Sequence, residues 1–366
     1  MSTLPEFEYA RPATLTAASR ALSPSPTTGG AAATAVVYAG GVDLLDLMKD
    51  RIVEPRRLVN LKSVAGVEGA ALRAIAARPD GSVVIGALAT LADIAASPVL
   101  GGVAATAALV QSAGQAATPA VRNLATLGGN LVQAPRCWYF RHEAYPCLKK
   151  PGGSQCFALD GENRHHAVFT EGERCVMTNP STVTVALVAL DARVTVRAAD
   201  GASRELPVVD FLKKQHAADP AAPALAHGEI VVAVTIPAAM AAAGSGWRSA
   251  YLKVREKQSF DWPLADVAVA VKLAADGATI AASRVVLGAV AAVPRRVEAV
   301  EKALEGRRLD DAKAIADIAQ TVADGTRPLA QNAYKTRLMS VLVRRALAEL
   351  ATPPPAAATT AKPAKA

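Results

Sequence analysis

The stretch AVVYAGGVDLLDLMKD, residues 35 to 50, constrains the fold more than any other part of the chain. An apolar run ends on two glycines, and apolar residues then recur at helical spacing as Val42, Leu45 and Met48. That order predicts a strand, a corner and a helix. Glycines at such a corner do more than turn the chain. Without Cβ atoms they let the backbone approach a ligand and aim its N–H groups at a phosphate. A helix starting at Val42 adds the positive end of its dipole. A second paired-glycine corner stands in NLATLGGNLV, residues 123 to 132. Neither has the GxGxxG spacing of a dinucleotide-binding βαβ unit, and GxxxxGKS/T is absent from the sequence. Two corners in one domain can grip one pyrophosphate from both sides, although either alone is also compatible with an ordinary turn.

The rest of the chain divides by its turn residues. RRLVNL (56–61) reads as a further short strand. Pro79, Asp80 and Gly81 separate two apolar runs, which predicts a hairpin. LADIAASPVL and AATAALVQSAG read as helices, and STVTVALVALDA as a buried helix. ARVTVRAADGASRELPVVDFL turns back at Asp200–Gly201, and EIVVAVTIP (229–237) closes the region as a strand. AAMAAAGSG, 238–246, has the small residues of a linker. Beyond it, strand-like runs and helices over 295–304 and 332–350 predict a separate small α+β domain. The segment from 351 to 366 is low-complexity and is expected to be disordered.

Several function classes are disfavoured by composition. A chain of 366 residues exceeds one typical domain. With 51% hydrophobic residues it can bury a sizeable core. The net charge of +8 hints at nucleic acid, but the basic residues are scattered and aromatics make up only 4%, too few for a base-stacking platform. No run of about eighteen apolar residues predicts a membrane span. The first residues, MSTLPEFEYARP, lack the apolar core of a secretory signal, which predicts a cytoplasmic protein.

All four cysteines, Cys137, Cys147, Cys156 and Cys175, fall in one window with the spacing C-x9-C-x8-C-x18-C. Disulfides need an oxidising compartment, for which no signal is visible. A zinc site usually shows close CxxC pairs, which are absent here. An iron–sulfur cluster takes four thiolates and tolerates irregular loop spacing. Spacing alone leaves the three open, with unpaired thiols beside them.

YAGGVDLLDLMK, IGALATLADI, VRNLATLGGNL, PSTVTVALVALDA and YLKVREK, in that order, resemble the FAD-binding medium subunit of the molybdenum hydroxylases, the xanthine dehydrogenase and carbon monoxide dehydrogenase family. LGAVAAVPRRVEAVEKALEG and PLAQNAYKTRLMSVLVRRAL resemble that family's C-terminal domain, so the likeness runs from about Phe7 to Leu350. It implies an α+β fold with a two-subdomain FAD-binding domain of the vanillyl-alcohol-oxidase/MurB (PCMH) type over 1–237, divided near 61. A C-terminal domain of the CO dehydrogenase flavoprotein type would follow over 247–350. On this resemblance Ala39, Gly40, Gly41, Val42, Asp43 and Leu44 form the first pyrophosphate loop. Thr126, Gly128, Gly129 and Asn130 form the second, and Lys253 lies near the flavin. The family usually carries an aspartate where this chain has Thr182, so a hydroxyl replaces a charge at that flavin contact. Asp191 is expected to be structural.

The resemblance also bears on the cysteines. Residues 133–178 stand where most family members have a short link, and the insert looks most like that of the bacterial aldehyde oxidoreductase type. There the four cysteines bind an extra [4Fe-4S] cluster, which would make Cys137, Cys147, Cys156 and Cys175 its ligands. His165 and His166 are then expected to pack the loop. Trp138, Tyr139 and Phe140 would form its small core, and Arg136 and Lys149 would offset the cluster's charge.

The function implied is electron transfer within a heterotrimer. A large subunit with the molybdenum cofactor would oxidise substrate, and a small subunit with [2Fe-2S] clusters would pass electrons to the FAD held here. The acceptor would be oxygen, a quinone, ferredoxin or NAD. Export with a signal-bearing partner would place the complex in the periplasm. The competing readings are a self-sufficient flavin oxidase of the same fold and a flavin-free, zinc-stabilised scaffold subunit.

Overall fold

The computed structural model describes residues 4–22, 35–216 and 224–352. Three short strands, β1 (Glu8–Ala10), β2 (Ala35–Tyr38) and β3 (Arg57–Asn60), form a parallel sheet in the order β1-β3-β2. Parallel neighbours cannot be joined by tight turns, so the chain crosses over through helices. Helix Leu15–Leu22 buries Leu15, Ala18 and Leu22, and helix Val42–Lys49 buries Leu47 and Met48.

A second sheet is antiparallel and runs β4-β5-β8-β6-β7, from β4 (Ile75–Ala77), β5 (Val83–Gly86), β6 (Arg193–Arg197), β7 (Ser203–Pro207) and β8 (Ile230–Ile236). Its two hairpins turn at Gly81 and Gly201, both with φ near +90°, where a side chain is strained. These are the two turns expected from Pro-Asp-Gly and Asp-Gly. A third antiparallel sheet runs β12-β11-β10-β9, from β9 (Trp247–Val254), β10 (Ala265–Leu273), β11 (Ile280–Gly288) and β12 (Arg295–Arg296). Helices Glu298–Leu304, Ala312–Gln320 and Tyr334–Ala351 cover one face of it.

The joint between these parts is helix Thr182–Ala189, which is buried at every position. It packs against helix Ala107–Gly114 on one side and against β10 and β11 on the other. An all-round buried helix has no place for unpaired hydroxyls. Thr182 donates to the Ser112 carbonyl at 3.2 Å and Thr184 to that of Ser181 at 2.8 Å. Strand β10 is buried on both faces. Ala268 and Ala270 pack toward the first two sheets, and Val267, Val269 and Val271 toward the C-terminal helices.

The elements differ from expectation at several places. The hairpin expected through Leu212 ends at Pro207, and Val208–Gln215 is a helix burying Val208, Phe211 and Leu212. LADIAASPVL forms two helices, Leu91–Ala96 and Pro98–Gly101, because Ser97 is extended and caps the second. The helix expected over 295–304 starts at Glu298, because Arg295 and Arg296 pair with β11 and the Arg296 guanidinium meets Glu301 at 2.7 Å. Helix Ala312–Gln320 was not expected, although Asp311 caps it by accepting from the Ala314 N–H at 3.0 Å. Residues 238–246, expected as an open linker, carry a short helix, Ala238–Ala241, that buries Met240 and Ala241. Most of the low-complexity tail, 353–366, lies outside the described residues, as do 1–3 and 23–34. No helix among the described residues is long and apolar enough to cross a membrane.

Candidate functional site: a glycine-walled cleft and a cysteine cavity

A cleft of ≈ 1210 Å³ receives both glycine corners. Clefts for drug-sized ligands usually span about 300–1,000 Å³, so there is room for a dinucleotide. Ala39, Gly40, Gly41, Val42, Asp43, Leu44, Thr126, Gly128, Gly129, Asn130, Thr182 and Lys253 all line it. Residues distant in sequence are thus brought to one wall.

Each corner has a geometric reason for its glycines. Gly41 sits at φ +74° before the Val42–Lys49 helix, and a Cβ there would meet the Tyr38 ring at 2.7 Å. At Gly40 an added Cβ would lie 2.1 Å from the Leu124 carbonyl oxygen, so the first corner is packed directly against the approach to the second. At the second corner, Thr126 caps a short helix, Leu127–Val132, by accepting from the Gly129 N–H at 3.2 Å. Gly128 lies against Ala87, whereas Gly129 has only the Thr126 hydroxyl nearby. The Gly128 N–H donates to the Ala87 carbonyl at 2.8 Å, so the glycines of this corner offer close approach. The first corner and the helix start behind it bring the backbone N–H groups, and together these fit the pyrophosphate of FAD.

The side chains have separate tasks. Asp43, expected in the pyrophosphate loop, turns its carboxylate toward the cysteine insert. It accepts from the Ala134 N–H at 2.8 Å and pairs with Arg141 at 2.6 Å and Arg136 at 3.0 Å. Three donors hold it on the side of the insert. The Oδ1 of Asn130 accepts from the Ser181 hydroxyl, which leaves its amide N–H groups for the cleft. Lys253 donates to the carbonyls of Gln115 at 2.6 Å and Asp261 at 3.3 Å. Burial, helped by nearby Arg255, pulls its ammonium down to about 8. Asp191 is structural: at φ +49° it accepts from Arg284 at 3.1 Å.

One part of the wall escaped sequence reasoning. Phe260, Asp261, Trp262 and Pro263 close the cleft from the loop between β9 and β10. Trp262 is 53% exposed, and the Arg136 guanidinium lies 4.8 Å from its ring centroid. The signal was there: two large aromatics in a short loop, SFDWPL, with no apolar periodicity to bury them.

The four cysteines converge as well. Cys137, Cys147, Cys156 and Cys175 line one cavity with Lys149 and His166. The donor set has the composition an iron–sulfur cluster takes. The cavity is closed down to ≈ 10 Å³, about the room one water needs. No group of three or more His, Cys, Asp or Glu among the described residues is arranged to hold a metal ion. The thiols face one another instead. Cys156 is pulled down to about 6, first by the hydrogen bond from Cys175 and then by the N–H groups of Val176, Ala158 and Leu159. Cys175, the donor, is pushed up by that same bond and by burial, while burial pushes Cys137 up to about 11.

The surrounding loop differs in part from expectation. Phe140 is buried against Leu47, but Trp138 is 38% exposed and is not core. The ring contacts run through Tyr139, which meets Trp138, Tyr145 and Phe157, with the Tyr139 and Tyr145 centroids 5.0 Å apart. His166 is buried with Nε2 3.2 Å from the Cys137 sulfur, whereas His165 lies beside Trp138 and Glu256. Arg136 faces Asp43 and Asp46, not the cavity, and Lys149 lines the cavity and donates to the His216 carbonyl at 2.8 Å.

A dinucleotide-sized cleft between two glycine corners, followed by a four-stranded sheet backed by helices, defines a cofactor-binding unit joined to a smaller C-terminal unit. Residues 5–239 match the family described as the FAD binding domain in molybdopterin dehydrogenase, and residues 249–350 match the CO dehydrogenase flavoprotein C-terminal domain. The chain belongs to this family of FAD-binding subunits of the molybdenum hydroxylases, and it is an oxidoreductase. It is 35% identical over 85% of its length to the aldehyde oxidoreductase FAD-binding subunit PaoB of Escherichia coli (strain K12), covering 90% of that protein. It is 27% identical over 94% of its length to the carbon monoxide dehydrogenase medium chain of Hydrogenophaga pseudoflava, covering 96% of it. Among solved structures it superimposes on carbon monoxide dehydrogenase from Hydrogenophaga pseudoflava with a TM-score of 0.68 at 24% identity, covering 94% of this chain and 97% of that one. Quinoline 2-oxidoreductase from Pseudomonas putida 86 gives 0.68 at 22% identity, covering 95% and 98%. The expected fold class is thereby found.

Proposed function

We propose that this chain is the FAD-binding electron-transfer subunit of a heterotrimeric molybdenum hydroxylase of the aldehyde oxidoreductase type. The observation that carries the reading is the single cleft lined by both glycine corners together with Thr182 and Lys253. FAD would supply two-electron chemistry with one-electron steps available, and the chain's residues would bind and orient it. The Gly40–Gly41 corner and the start of the Val42–Lys49 helix would offer backbone N–H groups to the pyrophosphate. Gly128–Gly129, whose own N–H groups are held by Ala87 and Thr126, would let it approach closely. Asn130 and Thr182 offer polar contacts, and Lys253 places a cation in the wall. A large subunit with the molybdenum cofactor and a small subunit with [2Fe-2S] clusters would complete the enzyme. The 35% identity to an aldehyde oxidoreductase FAD-binding subunit supports this choice of partner class.

The finer reading is that Cys137, Cys147, Cys156 and Cys175 hold a [4Fe-4S] cluster. Its support is that four thiols and no carboxylate line one cavity. At ≈ 10 Å³ the cavity is smaller than a cluster, so binding would spread the four side chains outward. Acid release of flavin from the purified chain tests the first reading, with one FAD per chain expected and none defeating it. Iron and acid-labile sulfide, with electron paramagnetic resonance after reduction, test the second. Zinc in place of iron in anaerobically purified protein, or a disulfide between two of the four, would overturn it.

A further inference from the structure

Behind the Thr182–Lys253 part of the cleft wall lies a carboxyl that flavin binding as described above does not use. Asp266, on β10, is 1% exposed, and its Oδ2 accepts a 2.8 Å hydrogen bond from the buried Tyr251 hydroxyl. Its Oδ1 has no partner. Burying an ionisable group with half its acceptors unmet is costly, so packing alone does not account for it. The neighbouring strands accommodate it. Gly288 stands opposite on β11, and a Cβ there would lie 2.3 Å from Oδ1. Lys253 stands directly opposite on β9, with Tyr251 two residues away on the same face. From the Thr182–Ala189 helix, the Thr182 hydroxyl lies against the Tyr251 phenol. Asp266 therefore reaches the cleft by two routes, through Tyr251 to Thr182 and across the ladder to Lys253.

We propose that Asp266 is a positioning residue for the flavin, holding Tyr251 behind Thr182 while its negative charge beneath Lys253 biases the cleft against the reduced, anionic cofactor. The charged and titratable groups around it are Tyr251 and Lys253 from β9 and Lys335 from the last helix. Arg255 and Arg122 act in turn on Lys253. Gly288 and Val185 bring none. Burial pushes the Asp266 carboxyl up to about 7, against the Tyr251 hydrogen bond and the two lysines. The bias is thus present above neutrality and removed below it.

This inference rests on the flavin reading, and the experiment separates the two. FAD content is measured first, and a wild-type chain without FAD removes the ground for both. With FAD bound, the flavin midpoint potential of the full chain is followed from about pH 6 to about pH 8 in wild type and Asp266→Asn. Asparagine keeps the size and the acceptor for Tyr251 but not the charge. At the alkaline end the variant should favour reduced flavin about tenfold more than wild type, about 30 mV upward for a two-electron couple. At the acid end the two curves should meet. Superimposable curves across the range would overturn the proposal, since a merely structural role leaves the potential unmoved. If Asp266→Asn fails to fold, Tyr251→Phe decides. Losing the phenol raises the carboxyl's pKa, so the bend in the curve should move to higher pH, and an unmoved bend overturns the proposal equally.

Discussion

The walls of the flavin cleft are strands and helices meeting at glycine corners, whereas residues 133–178 contain neither a helix nor a strand. The two regions touch, yet they are held by different means. In the cleft the backbone sets the shape: Gly41 is left-handed, Gly40 touches the Leu124 carbonyl, and Thr126 caps its helix. The cysteine loop is built of tight turns, such as the Leu148 N–H to the Gln155 carbonyl at 3.1 Å. It is tied to the rest of the chain by backbone bonds at Val168 and Phe169 and by side chains running both ways. Asn332 donates to the carbonyls of His166 and Ala167 at 3.1 and 2.9 Å, Lys335 to that of His165 at 3.0 Å, and Arg141 clasps Asp43 and Asp46. The loop, made of turns with no helix or strand, gathers its four thiols around a cavity of ≈ 10 Å³.

The sharpest way to break this contrast is at Gly40. Valine there would drive its Cβ into a backbone carbonyl 2.1 Å away, so the corner must open. Complete loss of FAD is expected, with a lowered melting temperature, as read by bound flavin and calorimetry. Stoichiometric FAD in Gly40→Val would show that the corner is not backbone-determined. The counterpart in the loop is Cys156→Ser. It should remove most of the iron while leaving most FAD bound, because no flavin-corner residue touches Cys156 in the cavity. Parallel loss of iron and flavin in that variant would mean that the two sites fold as one.

A smaller effect is expected at the polar bridge between them. Lys149 of the loop donates to the His216 carbonyl, Asn179 donates to the His216 ring at 3.1 Å, and Asn179 and Ser181 lead on to Asn130 in the cleft. Burial, with Lys149 adding to it, holds the imidazole down at about 4, so it stays neutral while an unfolded chain's histidine takes up a proton near 6.5. The unfolded state binds more protons between those values, and stability falls as pH drops through that window. The loss is roughly 3 kcal/mol at the acid end. Denaturant melts of wild type and His216→Leu between the two pH values should differ in slope, and equal slopes would remove His216 from the account. Least of all, Arg141→Met breaks one arm of the Asp43 clamp while Arg136 remains, and should cost about 1–2 kcal/mol. Faster hydrogen exchange should then appear at Ala134 and beyond, with FAD retained.

Local requirements of the backbone were legible from sequence. Paired glycines need a particular conformation wherever they sit, and AVVYAGGVDLL states strand, corner and helix within a dozen positions. Alternation and turn residues placed both hairpins for the same reason. The gathering of the four cysteines was likewise written in their spacing. What the sequence could not state is which way a side chain faces once distant elements meet. Asp43 belongs by position to the pyrophosphate corner, yet its carboxylate is taken up by Arg136 and Arg141, more than ninety positions on. Trp138 looked like the heart of the loop and lies at its surface, while the cleft instead gained Phe260 and Trp262 from a loop that periodicity left blank. Asp266 reads as the start of an apolar strand, and only the ladder that sets it between Lys253 and Gly288, under Tyr251, makes it a buried acid behind the cofactor wall. Conformation is fixed by neighbours along the chain. Burial and pairing are fixed by neighbours across it, and those the tertiary structure alone assigns.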